Sequence, residues 1–237
     1  MAERPLSAVP VPALVLLAAA LAAQVTWHAL RPPPVAQATE LPPPPPIEWL
    51  RLTALGDPVA AMRGLLLWLQ AHDNQPGISI PYRSLDYGVL RRWLEASLAL
   101  DGRSQYPLLA AARLYGEVPV PEKQRLMLDF VHRAFLLDPN RRWPAMAHAV
   151  FVAKHRLKDL PLALDYAGAL TERATDPAIP EWVRQMRIFV LEDMGEIEAA
   201  KIIIGGLLES GRVTDPNELG FLKWRLRMLE EQEAGKR

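Results

Sequence analysis

The sequence predicts an all-α protein: an α-solenoid of about four helical hairpins and a C-terminal capping helix, preceded by a single transmembrane helix. Three observations predict it. An Asp-Pro pair recurs at 57–58, 138–139, 176–177 and 215–216, with a degenerate copy at Asp101-Gly102. From Asp101 onward the spacing is 37–39 residues, a period that marks stacked helical arrays. An aromatic follows each later copy by five or six positions, at Tyr106, Trp143, Trp182 and Phe221. Finally, residues 9–30 form an apolar run with no Asp, Glu, Lys or Arg.

That run opens the chain's organisation. Its 22 residues would make a helix about 33 Å long, enough to cross a hydrocarbon core of about 30 Å. Pro10 and Pro12 stand at its start, where a helix tolerates proline. Trp27 and His28 near its end suit a membrane interface. Residues 1–31 therefore read as a tail and permanent anchor. The rival reading is a cleaved signal peptide, with Arg4 as its basic region, 13–23 as its apolar core, and Ala20-Leu21-Ala22 or Ala36-Gln37-Ala38 as cleavage triplets. The amino terminus and Arg4 are positive before the span, with Glu3 contributing little; Arg31 follows it, and the next basic residue is Arg51. The positive-inside rule then favours a cytoplasmic N-terminus with the bulk of the chain outside. The Ala, Leu, Arg and Pro bias reads as bacterial, which makes that outside the periplasm.

Residues 32–46 hold eight prolines, at 32–34 and 42–46. A polyproline II stretch of this length reaches about 45 Å, a semi-rigid stalk.

The repeat domain spans 47–233, leaving 234–237 as a tail. Asp57 reads as an N-cap with Pro58 at the first helical position. Val59, Met62, Leu66 and Leu69 then give an apolar face to a helix over 58–73. Its partner covers 84–100, with Leu85, Val89, Trp93, Leu94 and Leu98 inward. The plan repeats at 106–117 and 121–137, 143–157 and 160–174, and 181–194 and 196–210. A last helix over 216–233 ends in Glu230, Glu231, Gln232 and Glu233, a polar face suited to closing an array. Trp49, Trp68, Trp93 and Trp224 lie in apolar helical patterns and read as core.

These features resemble the tetratricopeptide repeat. The early aromatics are Trp143 and Trp182, the small residues of the second helices Ala163 and Ala200, and the repeat-end prolines Pro139, Pro177 and Pro216. Gly195 matches the family's turn glycine, and Lys158 stands where that glycine belongs. The period exceeds the family's and the glycine of the first helix is missing, so this is a divergent match over roughly 57–233. The resemblance implies a concave groove for a peptide or protein.

The first repeat interval is longer than the others, and the surplus lies in residues 71–82. Pro76-Gly77 marks a turn there. Insertions in arrays fall on one face and serve binding, so His72, Asp73, Asn74, Gln75 and Tyr82 are candidate contacts to a partner or to the membrane-proximal stalk. On the first helices of later pairs, His148, Phe151, Arg184 and Arg187 are candidate groove residues.

Composition narrows the function classes. Lys plus Arg and Asp plus Glu both total 27, so the net charge is zero, unlike the basic excess of a nucleic-acid binder. The chain has no cysteine, which removes thiolate nucleophiles, zinc-thiolate sites and iron–sulfur clusters. His148 and His155 stand two helical turns apart, about 10.5 Å along the axis, too far to share one metal easily. His72-Asp73 could pair a base with its orienter, but no nucleophile pattern accompanies it. Glu192, Asp193, Glu196 and Glu198 cluster without the alternation of a calcium loop. No phosphate-binding glycine loop is found, no small-molecule substrate is evident, and no cofactor is expected. The expected function is a non-enzymatic, membrane-anchored scaffold or adaptor for a protein or peptide, such as an envelope assembly factor or chaperone accessory. The alternatives are a structural subunit of a larger membrane complex, and an enzyme accessory with a site near His72 or His148/His155.

Overall fold

The structure, a computed structural model, describes residues 10–31, 38–211 and 213–234. The expected tails and the first half of the expected stalk lie outside the described residues. The chain divides into two compact units, Met1–Ala38 with Pro76–Ile78, and Thr39–Gln75 with Ser79–Arg237.

In the first unit, α1 (Val11–Leu30) starts after Pro10 with Pro12 in its first turn, and none of its residues is buried. It is the one described helix that is by itself long and apolar enough to cross a membrane. At its end the Arg31 guanidinium lies 4.7 Å from the Trp27 ring centroid.

The second unit is helical. Its order is α2 (Ile47–Thr53), α3 (Pro58–Ala71), α4 (Tyr87–Leu100), α5 (Tyr106–Ala110), α6 (Pro121–Leu137), α7 (Pro139–His155), α8 (Leu160–Arg173), α9 (Glu181–Met194), α10 (Ile197–Glu209) and α11 (Pro216–Ala234). Two-residue strands, β1 (Asn74–Gln75) and β2 (Ile78–Ser79), flank Gly77, which turns at φ 78°. All nine helices expected from periodicity are present. The helix begun by α5 continues as a single wider turn, Ala111–Tyr115. From α6 onward each helix packs on its sequence neighbour, and α7 also touches α5 and α9. The main core runs from Leu41 to Val190 and contains Leu90, Tyr115, Phe135 and Met146. A smaller cluster of seven buried residues, including Ile188, Ile204, Leu222 and Leu229, holds α9, α10 and α11.

The Asp-Pro pairs do three different jobs. Asp57 caps α3, accepting from the Ala60 N–H at 2.9 Å, and Asp215 caps α11 through the Asn217 N–H at 2.7 Å. Asp138 precedes α7 but turns its carboxylate to Arg141 at 2.9 Å. Asp176 starts no helix: it accepts from the Ala178 N–H at 2.8 Å inside a loop, and α9 begins at Glu181. An Asp side chain accepts whichever amides the backbone offers it, so tertiary contacts of the loop decide its role. Helix α7 starts four residues earlier than expected, taking Pro144 inside it. Arg142, in its first turn, donates to Ala134 O at 2.7 Å and Gly102 O at 3.1 Å, tying that turn to the preceding repeat.

The expected small residues Ala163 and Ala200 are fully buried, and the aromatics Trp143 and Trp182 meet edge to face at 5.8 Å. Gly195 closes α9 in the left-handed region at φ 80°, and Lys158 takes the same conformation at φ 55°. A side chain there crowds the following carbonyl. Lys158→Gly is therefore expected to raise stability by about 0.5–1 kcal/mol, the relief of strain exceeding the added freedom of the unfolded chain. A urea midpoint no higher than wild type would contradict this.

Candidate functional site

Residues 39–46 were expected to belong to a semi-rigid stalk. Thr39, Leu41 and Pro42 instead contact the helical unit. The Gln75 carboxamide grips Thr39 as a neighbouring strand would: its Oε1 accepts from the Thr39 N–H at 2.8 Å, and its Nε2 donates to Thr39 O at 2.8 Å. His72 Nε2 stands 3.1 Å from the same carbonyl. Leu41 is buried in the main core. The Trp93 indole N–H donates to Pro42 O at 2.7 Å. A proline run has no N–H to give, so recognition must come through its carbonyls. Trp93 rests against Trp68 at 5.0 Å, and Trp68 against His72 at 5.8 Å. Helix α2, which periodicity did not reveal, continues the strap and packs Ile47 and Leu50 on the core.

The insertion after α3 thus contacts the chain's own segment before the second proline run, through His72 and Gln75. Tyr82 donates to Gln70 O at 3.2 Å, and its ring meets Tyr115 edge to face at 5.4 Å. Burial, and then the nearby Asp73 carboxylate, hold the Tyr82 phenol above its ordinary pKa. Asp73 O accepts from Ile80 N–H at 2.6 Å, and Asn74 is exposed in β1.

The four expected groove residues separate into three places. His148 and Phe151 stack at 5.5 Å on α7. His148 Nε2 lies 3.0 Å from Glu117 Oε1, and Arg156 Nε donates to Glu117 Oε2 at 2.7 Å. Arg184 is taken up by the loop before its helix, donating to Ala174 O at 3.2 Å and Asp176 O at 2.9 Å and pairing with Glu181. Arg187 lines a cleft on α8 with Asp165, Gly168 and Glu172. One helix carries both arginines, yet the carbonyls of Ala174 and Asp176, just past the end of α8, claim the first of them. The acidic cluster is dispersed into pairs, Asp193 to Lys154 at 3.0 Å and Glu198 to Lys201 at 2.8 Å, with Glu192 bound to Arg225. Among the described residues no three His, Asp or Glu side chains converge as a metal site.

Burial lowers the His148 pKa below its ordinary 6.5, outweighing the hydrogen bond to the Glu117 carboxylate and its charge, which raise it. The folded state therefore binds its proton less readily than the unfolded state. The resulting contribution is whole above pH 6.5 and is lost as pH falls through the lower folded value. The stability difference between wild type and His148→Gln is expected to shrink between pH 7 and pH 5, followed by denaturant titration at each pH. A difference that grows on acidification would contradict it.

Trp49, Trp68 and Trp224 were expected in the core and are 62%, 42% and 46% exposed; Trp93 alone of that set is buried, at 7%. Leu52 and Leu67 are also 67% and 62% exposed. The signal for this surface was present in α3, which is apolar on both faces: Met62, Leu66 and Leu69 inward, Ala60, Gly64, Leu67 and Trp68 outward. Ordinary surface helices are polar outward. No protein-family model, curated protein or solved structure matches the chain.

Proposed function

We propose that this chain is a membrane-tethered, non-enzymatic scaffold whose helical repeats form an α-solenoid, divergent from the tetratricopeptide repeat, that binds a protein or peptide. The observation that carries the reading is α1: a twenty-residue helix without Asp, Glu, Lys or Arg, long and apolar enough to cross a membrane and exposed throughout, attached to a helical unit with its own core. Neighbour-on-neighbour helix packing and the Trp143–Trp182 contact support the solenoid. Tethering confines the search for a partner to the membrane surface and raises its effective concentration.

A second reading, a fixed subunit of a larger membrane complex, is favoured by α11. The closing helix was expected to end in a polar face at Glu230, Glu231, Gln232 and Glu233 with Trp224 in the core, but Phe221, Trp224 and Met228 are exposed at helical spacing, at 37%, 46% and 43%. Such a stripe on a terminal helix suits a permanent neighbour.

Alkaline carbonate extraction of native membranes tests the anchor, since a chain released into the supernatant has none. Photo-crosslinkers at Phe151 and Trp224 then separate the two readings. A scaffold gives an adduct at Phe151 that excess free partner peptide displaces. A subunit gives one at Trp224 in fixed ratio to its neighbour through purification.

A further inference from the structure

We propose that the corner made by α2 and α3 is a lipid-binding surface, seated in the headgroup layer of the membrane with Trp49, Leu52, Leu55, Leu67 and Trp68 in contact with lipid. The inference rests on the reading of α1 as a membrane anchor.

The corner is apolar where a soluble unit should be polar. On α2, Ile47 and Leu50 face the core, and Trp49 and Leu52 point the opposite way into solvent, 62% and 67% exposed. On α3 the outward face presents Ala60, Gly64, Leu67, Trp68 and Ala71, with Arg63 the one charge on it. The neighbouring helices behave otherwise: α4 turns Arg92 and Glu95 outward, and α6 turns Glu122, Arg125, Asp129 and Arg133. A helix apolar on both sides is one covered on both sides.

Leu55 is an independent observation. It lies in the bend of 109° between the two helices and is 92% exposed. Its backbone takes φ 50°, beside Gly56 at φ 88°. A non-glycine residue adopts this region at a cost that the surroundings normally offset. Within the folded unit almost nothing touches the Leu55 side chain, so neither packing nor conformation explains a leucine there. Insertion into an apolar phase does.

Chain length favours lipid over a protein cover. The strap is clamped at Thr39 by Gln75 and at Pro42 by Trp93, so only residues 31–38 separate the end of α1 from a fixed point on the second unit. Fully extended, they reach at most about 29 Å. An apolar corner on a unit leashed so closely to a bilayer meets lipid before anything else. Tryptophans are the residues that settle in the interfacial layer. Glu48, Arg51, Asp57 and Arg63 balance in charge, so attachment comes from apolar insertion. It will persist in high salt and on vesicles without anionic lipid.

The absence of cysteine makes the test direct. Single-cysteine variants of the full chain, Leu17→Cys, Leu52→Cys, Leu67→Cys and Ile202→Cys, each carry an environment-sensitive dye and are reconstituted in phosphatidylcholine vesicles. Nitroxide lipids report depth. The dye at 17 should be quenched by deep nitroxides. Those at 52 and 67 should lose most of their fluorescence to shallow nitroxides, unchanged in 1 M salt. The dye at 202, where the native side chain is 72% exposed on α10, should respond to neither. Quenching at 17 with 52 and 67 behaving like 202 overturns the lipid surface and leaves the anchor standing. Failure at 17 overturns the anchor and the proposal with it. Dyes at 52 and 67 shielded from both lipid and aqueous quenchers assign the corner to protein and overturn it as well.

Discussion

The Arg142→Ala variant is expected to lose about 3 kcal/mol of folding stability, the cost of two orphaned carbonyls and a vacated channel for the side-chain stem. Arg142 is 9% exposed. Its guanidinium bridges Ala134 O, one of the last carbonyls of α6 and so without an intrahelical partner, and Gly102 O in the loop after α4. Burial pushes its pKa down, and Arg141 beside it adds to that, while Asp138 opposes. The two carbonyl dipoles replace part of the water it gave up, and its buried Nε has no partner. Arg142→Lys restores only part of the loss, because a point charge cannot span both carbonyls as a planar fork does. Urea midpoints of the three proteins check the order. An alanine variant within 1 kcal/mol of wild type would show that water takes over both carbonyls at little cost.

Glu192→Ala is expected to free the end of the array without unfolding the rest. The Glu192 side chain is 7% exposed. It is gripped two-handed by Arg225, whose Nε lies 2.9 Å and 3.1 Å from its two oxygens and whose Nη2 also binds one of them. That grip joins α9 to α11, which is otherwise held by the smaller hydrophobic cluster, the Phe189–Phe221 ring contact and the Lys201–Glu233 ion pair. Removing the carboxylate lets Arg225, 31% exposed, rehydrate. The loss is then about 2 kcal/mol rather than the 3–5 of a fully buried pair. Amide exchange in α11 should quicken about thirty-fold, with α6 to α8 unchanged. Arg225→Ala, which strands the buried carboxylate, should cost more than Glu192→Ala. Uniform acceleration across the unit would mean that the array opens as one block.

Helices were legible because their signals are local. The apolar spacing of Met62, Leu66 and Leu69, the caps at Asp57 and Asp215, and the left-handed turn at Gly195 each act within one or two turns of chain. Lys158 shows how far such reading reaches, since a lysine stands in the glycine's place and still adopts the glycine's conformation. Arg141-Arg142 shows where it stops. The two look alike in sequence, yet one pairs with Asp138 at the surface and the other is buried across 40 residues of chain separation. The candidate site was half legible. The insertion around His72 and Gln75 was marked by its surplus length, but its occupant was not, because that depends on Leu41 finding the core and Pro42 finding Trp93, 51 residues away.

The sequence by itself therefore determined an apolar helix able to span a membrane, a mostly helical remainder among the described residues, and the positions of nine of its helices. Periodicity, capping and proline placement are properties of neighbours in the chain. The tertiary structure alone decided which Asp-Pro pair begins a helix, which arginine is a strut, where the proline segment rests, and that α2 and α3 turn an apolar face outward. Each of these is settled by groups distant in sequence competing for the same carbonyl or the same buried space. Such competition has no period to read.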